Sequence, residues 1–317
     1  MKVYLAPLEG ITTYIYRRAY HRNFGGVDRY FTPFIVNKKL AKKEIDGLLP
    51  ENNPDMVLIP QIMSNRAEDF IEVAKEIATY GYDTVNLNLG CPSGTVVSKK
   101  RGAGFLACPD ELDVFLSEVY EKCPMKISIK TRIGLEAEKE WEKILSIYEK
   151  YPIEELIIHP RLRSDFYKGP IHMEAFEEAV EKIKVPICYN GGLNSVADVE
   201  KIEETFPKID RIMIGRGVLR KPDLILQLRG IEISEEELKK RLHSFHDEIF
   251  DGYRSIMSGD RNTLFKMKEL WSYMGESFEG ADKYLKQIKK ANRLNEYENA
   301  VNVIFRDCSF SKTMVEF

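Results

Sequence analysis

An alternation limits what this chain can fold into. Short runs rich in β-forming residues occur eight times, at 3–6, 29–35, 56–61, 84–88, 126–130, 156–159, 186–190 and 211–215. Helical patterns lie between them. Several runs are apolar almost throughout, as parallel strands covered on both faces require. Eight strands alternating with helices is the count of a (β/α)8 TIM barrel, an α/β fold. A doubly wound sheet competes. If it bound a dinucleotide it would usually carry GxGxxG after its first strand. Here the first run leads into Pro7-Leu8-Glu9-Gly10, which is no such loop.

Helix starts support the alternation. Asn65 with Glu68 reads as an N-cap and its capping-box partner, and so does Ser234 with Glu237. Ser195 with Asp198 opens another helix, and Pro109 or Asp110 a further one. Phe70, Val73, Ala74, Ile77 and Ala78 recur at helical spacing, and Gly81 ends that helix. After about residue 230 the pattern is helical, with no strong strand. The expected organisation is a barrel over 1–230 followed by an all-helical domain over 231–317.

With 317 residues and 44% hydrophobic content, the chain can bury a barrel-sized core and a small second domain. Its net charge of −3 creates no global field for nucleic acid, so local patches must carry any such claim. The five cysteines, Cys91, Cys108, Cys123, Cys188 and Cys308, are scattered with no CxxC pair. That argues against a disulfide framework and a structural zinc, and a reducing cytoplasm is the simplest compartment. The N-terminus has no signal-like apolar stretch, and no run reaches the ~18 apolar residues of a membrane span.

In a barrel, functional residues gather at the C-terminal ends of the strands. The ends here are polar: Gln61, Asn88 with Cys91 beyond it, Lys130, His159 with Arg161 beyond it, Asn190-Gly191-Gly192, and Gly215-Arg216. Together they outline a ligand site. Barrels often bind phosphate with the last two of these loops, where glycine backbone can approach closely. Arg216 adds a charge-assisted contact. Lys130 places a positive charge deeper, which suits a flavin whose reduced ring is anionic, or a Schiff base. Cys91 is open to three readings: buried packing, metal ligand or working thiol.

The stretch "VNLNLGCPSGTVVSKKRGAGFL" resembles the signature of the tRNA-dihydrouridine synthase family. It shows Asn88-Leu89-Gly90-Cys91-Pro92 and then, after a fixed gap, Gly102-Ala103. The opening Ala6-Pro7-Leu8-Glu9-Gly10, Gln61, "KTRIG" around Lys130, His159, "NGG" and "GRG" match as well. The resemblance implies an FMN-dependent barrel with a helical C-terminal domain, which reduces the C5–C6 bond of particular tRNA uridines with NADPH. It implies that Ala6, Pro7, Leu8, Glu9, Gln61, Lys130, His159, Asn190, Gly191, Gly192, Gly215 and Arg216 hold FMN. Cys91 would be the general acid, and Asn88 would face the substrate base. The stretch "HPRLRSDFYKG" departs from the better-known subgroups at Pro160 and Leu162, so the uridine position stays open.

Two cationic groups fit such a substrate. Lys99, Lys100 and Arg101 follow the cysteine loop, and Arg161 stands on the substrate side. In the tail, Lys283, Lys286, Lys290 and Arg293 fall on one helical face, a candidate phosphate-binding surface. Neither an obligate protein partner nor a membrane is expected. The nearest rival is an FMN barrel of the dihydroorotate or dihydropyrimidine dehydrogenase kind, acting on a free base. A Lys130 Schiff-base aldolase and a non-enzymatic RNA-binding protein are the others.

Overall fold

The computed structural model describes residues 1–311. Its first part is a ring of parallel strands: β1 (Lys2–Leu5), β2 (Arg29–Phe31), β3 (Leu58–Ile59), β4 (Gln61–Ile62), β5 (Thr84–Leu89), β6 (Lys126–Gly134), β7 (Leu156–Leu162), β8 (Ile187–Tyr189) and β9 (Arg211–Ile214). The order around the sheet is β3-β2-β1-β9-β8-β7-β6-β5-β4. Nine strands replace the eight expected because Pro60 divides one of them. Proline has no N–H to give to a ladder. On one side of it Leu58 and Ile59 register with Tyr30 and Phe31, and on the other Gln61 and Ile62 register with Asn86 and Leu87. The divided strand thus closes the barrel.

Other boundaries shift for local reasons. The second strand stops at Phe31, before Pro33, and resumes only as a bridge from Ile35 to Ile62. β6 and β7 run past their expected ends to Gly134 and Leu162. Lys130 and His159 therefore lie inside strands rather than at their tips. By the two-residue period of a strand, Arg132 shares a face with Lys130, and Arg161 with His159.

Helices such as Ala67–Ala78, Pro109–Lys122, Glu140–Tyr148, Met173–Lys182 and Val196–Thr205 cover the ring. Their apolar faces and the strands form one core, while Tyr4, Phe31, Ile59, Ile157, Cys188 and Met213 belong to a smaller cluster. The Ser195 cap is as expected: Asp198 N–H donates to Ser195 Oγ (3.2 Å) and Ser195 N–H to Asp198 Oδ2 (2.8 Å). Asn65 is not a cap. The helix starts at Ala67 with no side-chain cap, and the Asn65 amide instead donates to Lys99 O (3.1 Å) and accepts from Arg101 Nε (3.4 Å). Ser234 caps through Glu237 N–H, but the Glu237 carboxylate turns to Arg241, so only half the box forms.

The C-terminal part holds the helices Glu235–Ile256, Asp260–Met274, Asp282–Lys290 and Leu294–Asp307. It is not all-helical: Phe278–Glu279 pairs antiparallel with Ser309–Phe310. It packs on the barrel through aromatic rings. Phe245 meets the edges of Tyr16, Tyr20 and Phe24 from the helix Tyr14–Asn23 and its end (centroids 5.3–6.1 Å). Gly252 lets the helices close, since a Cβ there would lie 2.6 Å from Ile15 Cγ2.

Candidate active site

The C-terminal ends of the strands frame a cleft of about 960 Å³, including its open mouth. Of the residues expected to hold a flavin, Ala6, Pro7, Leu8, Glu9, Lys130, His159, Asn190, Gly191, Gly192, Gly215 and Arg216 all line it. Cys91, Asn88 and Arg161 line it too. Gln61 does not. It is fully buried beneath the cleft, where its Nε2 donates to Asn86 Oδ1 and its Oε1 accepts from Asn88 Nδ2, both 2.8 Å. Asn86 Nδ2 continues the chain to Ser128 Oγ at 2.9 Å.

Gln61 therefore acts through Asn88. The Asn88 Oδ1 accepts the backbone N–H groups of Gly90 and Cys91, each at 3.0 Å. That side chain organises the turn carrying the thiol, and one N–H remains to donate into the cleft. The far end of the sequence signature has a matching role. Gly102 adopts φ +54°, and a Cβ there would meet Cys91 O at 2.9 Å. Ala103 N–H donates to the same carbonyl (3.1 Å). The fixed gap thus folds the chain back onto the cysteine loop.

Burial pushes the Cys91 thiol above its ordinary value. A thiol raised in this way keeps its proton at neutral pH and is able to donate it. Lys130 Nζ donates to Asn190 Oδ1 (2.7 Å), whose Nδ2 donates to Met213 O (2.8 Å). Burial first, and the nearby Arg132 second, bring the Lys130 ammonium down to about 8. His159 is held well below its usual value by burial and by Arg132, Lys130, Arg161 and Arg216, so its ring is neutral. Arg161 NH1 approaches its Nε2 at 3.5 Å, which leaves Nδ1 to carry the ring proton.

Arg132 and Tyr167 also line the cleft, although sequence reasoning assigned them no role. Arg132 is 1% exposed and donates to Gly90 O, Leu162 O and Phe166 O at 2.7–3.0 Å. It ties the cysteine loop to the loop after β7. Its guanidinium lies 5.4 Å from the Tyr167 ring centroid, and that of Arg216 lies 4.6 Å from it. Arg132 could have been found from its two-residue offset from Lys130. Tyr167 lies in an irregular loop and has no periodic signal.

The cationic groups are elsewhere. Lys99, Lys100 and Arg101 do not line the cleft. Lys100 pairs with Glu111 (2.9 Å), and Arg101 is held by Asn65. Lys283, Lys286 and Lys290 are exposed along the helix Asp282–Lys290. Arg293 is not on that face, because the helix ends at Lys290 and Arg293 sits at the N-cap of the next.

Solved structures of the same fold include a 2-naphthoyl-CoA reductase (TM-score 0.56, 12% identity, 72% of this chain and 50% of that one). Morphinone reductase is another (TM-score 0.52, 13% identity, 74% and 87%). At such identities the likeness shows the barrel alone. Sequence relatives are nearer. A tRNA-dihydrouridine(16) synthase of Pseudomonas syringae pv. tomato is 30% identical over 264 residues, 77% of this chain and 82% of that protein. A probable tRNA-dihydrouridine synthase of Staphylococcus aureus is 27% identical over 78% of this chain and 77% of its own. The thiol loop, the partly buried Lys130 and the glycine turns that the sequence singled out meet in one cleft. Residues 4–313 match the model of the dihydrouridine synthase (Dus) family, and the chain belongs to that family.

Proposed function

We propose that this chain reduces the C5–C6 bond of a uridine in tRNA to 5,6-dihydrouridine, with FMN in the barrel mouth and NADPH as the reductant. The observation that carries the reading is the Cys91 thiol lining the same cleft as the partly buried Lys130, whose ammonium Asn190 holds. The donor set fits a flavin mononucleotide. The Gly191-Gly192 and Gly215-Arg216 turns offer backbone N–H groups and a guanidinium to a phosphate. Lys130, fixed by Asn190, offers positive charge to the ring. When bound there, FMN supplies a hydride to C6 of the uracil.

The chain's own residues do the rest. Charge gathers on C5 and O4 of the uracil as C6 is reduced, and Cys91 gives its proton to C5. The free Asn88 N–H is positioned to donate to a carbonyl of the base. Arg132 holds the Gly90 carbonyl and so keeps the thiol loop against the cleft. The base must leave its stack to reach this depth, as in other enzymes that modify bases. The matched relatives named for position 16 make the uridine at that position the first to map. The exposed lysines of the helix Asp282–Lys290 are the proposed contact to tRNA backbone.

Measuring the two half-reactions of Cys91→Ala tests the role of the thiol. Flavin reduction by NADPH should be unchanged. Reoxidation by tRNA should slow by roughly 10²–10⁴, the range for loss of a general acid. Reoxidation at the wild-type rate would remove Cys91 from the chemistry.

A further inference from the structure

A second cavity opens beside the cleft, toward the helical domain. The two share Glu9, Pro33 and Phe34 as a common wall. The second encloses about 1030 Å³ with its mouth, a size suited to small ligands or parts of larger ones. Tyr14, Ile15, Ile35, Tyr253, Ile256 and Met257 make it largely apolar and aromatic. Thr32 Oγ1 accepts from Gln61 N–H (2.9 Å) and keeps its own proton to donate.

Arg17, Lys43 and Lys266 line the cavity together with Glu9, Glu44 and Asp46, so the formal charges of the lining cancel. Arg17 is held by Asn53, Thr12 O and Gly47 O, and Lys266 donates to Gly10 O at 2.7 Å. Glu44 caps its own helix through Ala41 N–H. Lys43 is the exposed cation of that lining, and Lys42, next to it in the chain, is exposed as well. Lys38 pairs with Asp69 (2.8 Å), while Lys39, Lys42 and Lys43 have no ion pair among the described residues. An aromatic lining of no net formal charge, with the exposed, unpaired Lys43 as part of it, suits a ligand with a flat neutral end and an anionic group beside it.

We propose that this cavity takes a second unstacked base of the tRNA, from a nucleotide flanking the uridine being reduced, with Lys42 and Lys43 holding its phosphate. The proposal rests on the reading that tRNA is the substrate. The shared wall sets the two bases side by side, as consecutive nucleotides of a loop would be. Unstacked loop bases are commonly held on aromatic side chains in this way. The reductant's nicotinamide is the competing occupant. Its ring must touch the flavin in the first cleft, so only its far end could reach beyond Glu9.

Met257→Trp fills the cavity without touching the flavin cleft, and Lys43→Glu reverses the exposed charge of its lining. Stopped-flow without oxygen reads the two half-reactions separately. Flavin content and NADPH reduction should be unchanged in both variants. Reoxidation by tRNA should slow about tenfold or more in Met257→Trp, the scale of one base stack removed. A tRNA with an abasic site beside the target uridine should slow as much with the wild-type protein and little more with Met257→Trp. If Met257→Trp fails to retain flavin, the more exposed Ile256→Trp replaces it in the same comparison. Additive losses, or no loss, would overturn the proposal. Slowed NADPH reduction with normal reoxidation would overturn it too, and give the cavity to the dinucleotide instead. Failure of intact tRNA to reoxidise the wild-type flavin would strike the functional reading itself, and is seen in the control.

Discussion

At the scale of single residues, the site is a set of side chains that hold one another. Asn88 is gripped from below by Gln61 and commits its carbonyl to the Cys91 turn. In Gln61→Leu the buried Asn86 Oδ1 and Asn88 Nδ2 would each lose the hydrogen bond that Gln61 makes to them. We expect a loss of about 1–3 kcal/mol in stability, the cost of leaving a buried polar group unpaired. Thermal unfolding checks that. Uridine reduction should fall more than flavin reduction, because Asn88 and not the flavin cradle is disturbed. Lys130 gives a pH signature. Its charge is present below about 8 and absent above it. Affinity for reduced, anionic FMN should therefore weaken as pH rises through that region, and titrations of Lys130→Met should lack the dependence. Cys91, Asn88 and Lys130 were legible because each follows a clear strand pattern. Arg132 was not, because the strand was expected to stop before it.

At the scale of elements, prolines and glycines decide where strands end and loops meet. Pro60 divides one strand and lets its halves pair with different neighbours, which closes the ring. The hydrophobic pattern located that strand but could not reveal its change of partner. The Asn65 cap failed for a similar reason. The side chain had a tertiary partner in the 99–101 loop, which local spacing cannot reveal. Gly217 is a sharper constraint. A Cβ there would lie 2.2 Å from Leu193 O, a backbone atom just beyond the preceding turn. Gly217→Ala should push the two phosphate-facing turns apart. The expected result is a destabilisation of about 1–3 kcal/mol, as for other overpacked sites, with FMN released on gel filtration.

At the scale of the molecule, the barrel carries the cleft and the helical part packs against it. Aromatic packing of Phe245 against Tyr16, Tyr20 and Phe24 joins the two parts. The order of parts was legible from the end of the alternation near residue 230. The short pairing of Phe278–Glu279 with Ser309–Phe310 was not, because two-residue strands leave no periodicity to read. Charge reversal at Lys283, Lys286 and Lys290 should weaken tRNA binding and reduce its salt slope by about 0.7–0.9 for each phosphate no longer neutralised. Binding isotherms at several salt concentrations give that slope. An unchanged slope would remove this face from the interface.

The most direct test of the central claim uses the flavin as its own indicator. The protein is reduced without oxygen and mixed with tRNA lacking dihydrouridine, and orotate and free uracil are run in parallel. Reoxidation by tRNA alone, with one dihydrouridine formed per flavin oxidised, is the predicted result. Reoxidation by the free bases and not by tRNA would contradict it and make the protein a dehydrogenase of free pyrimidines.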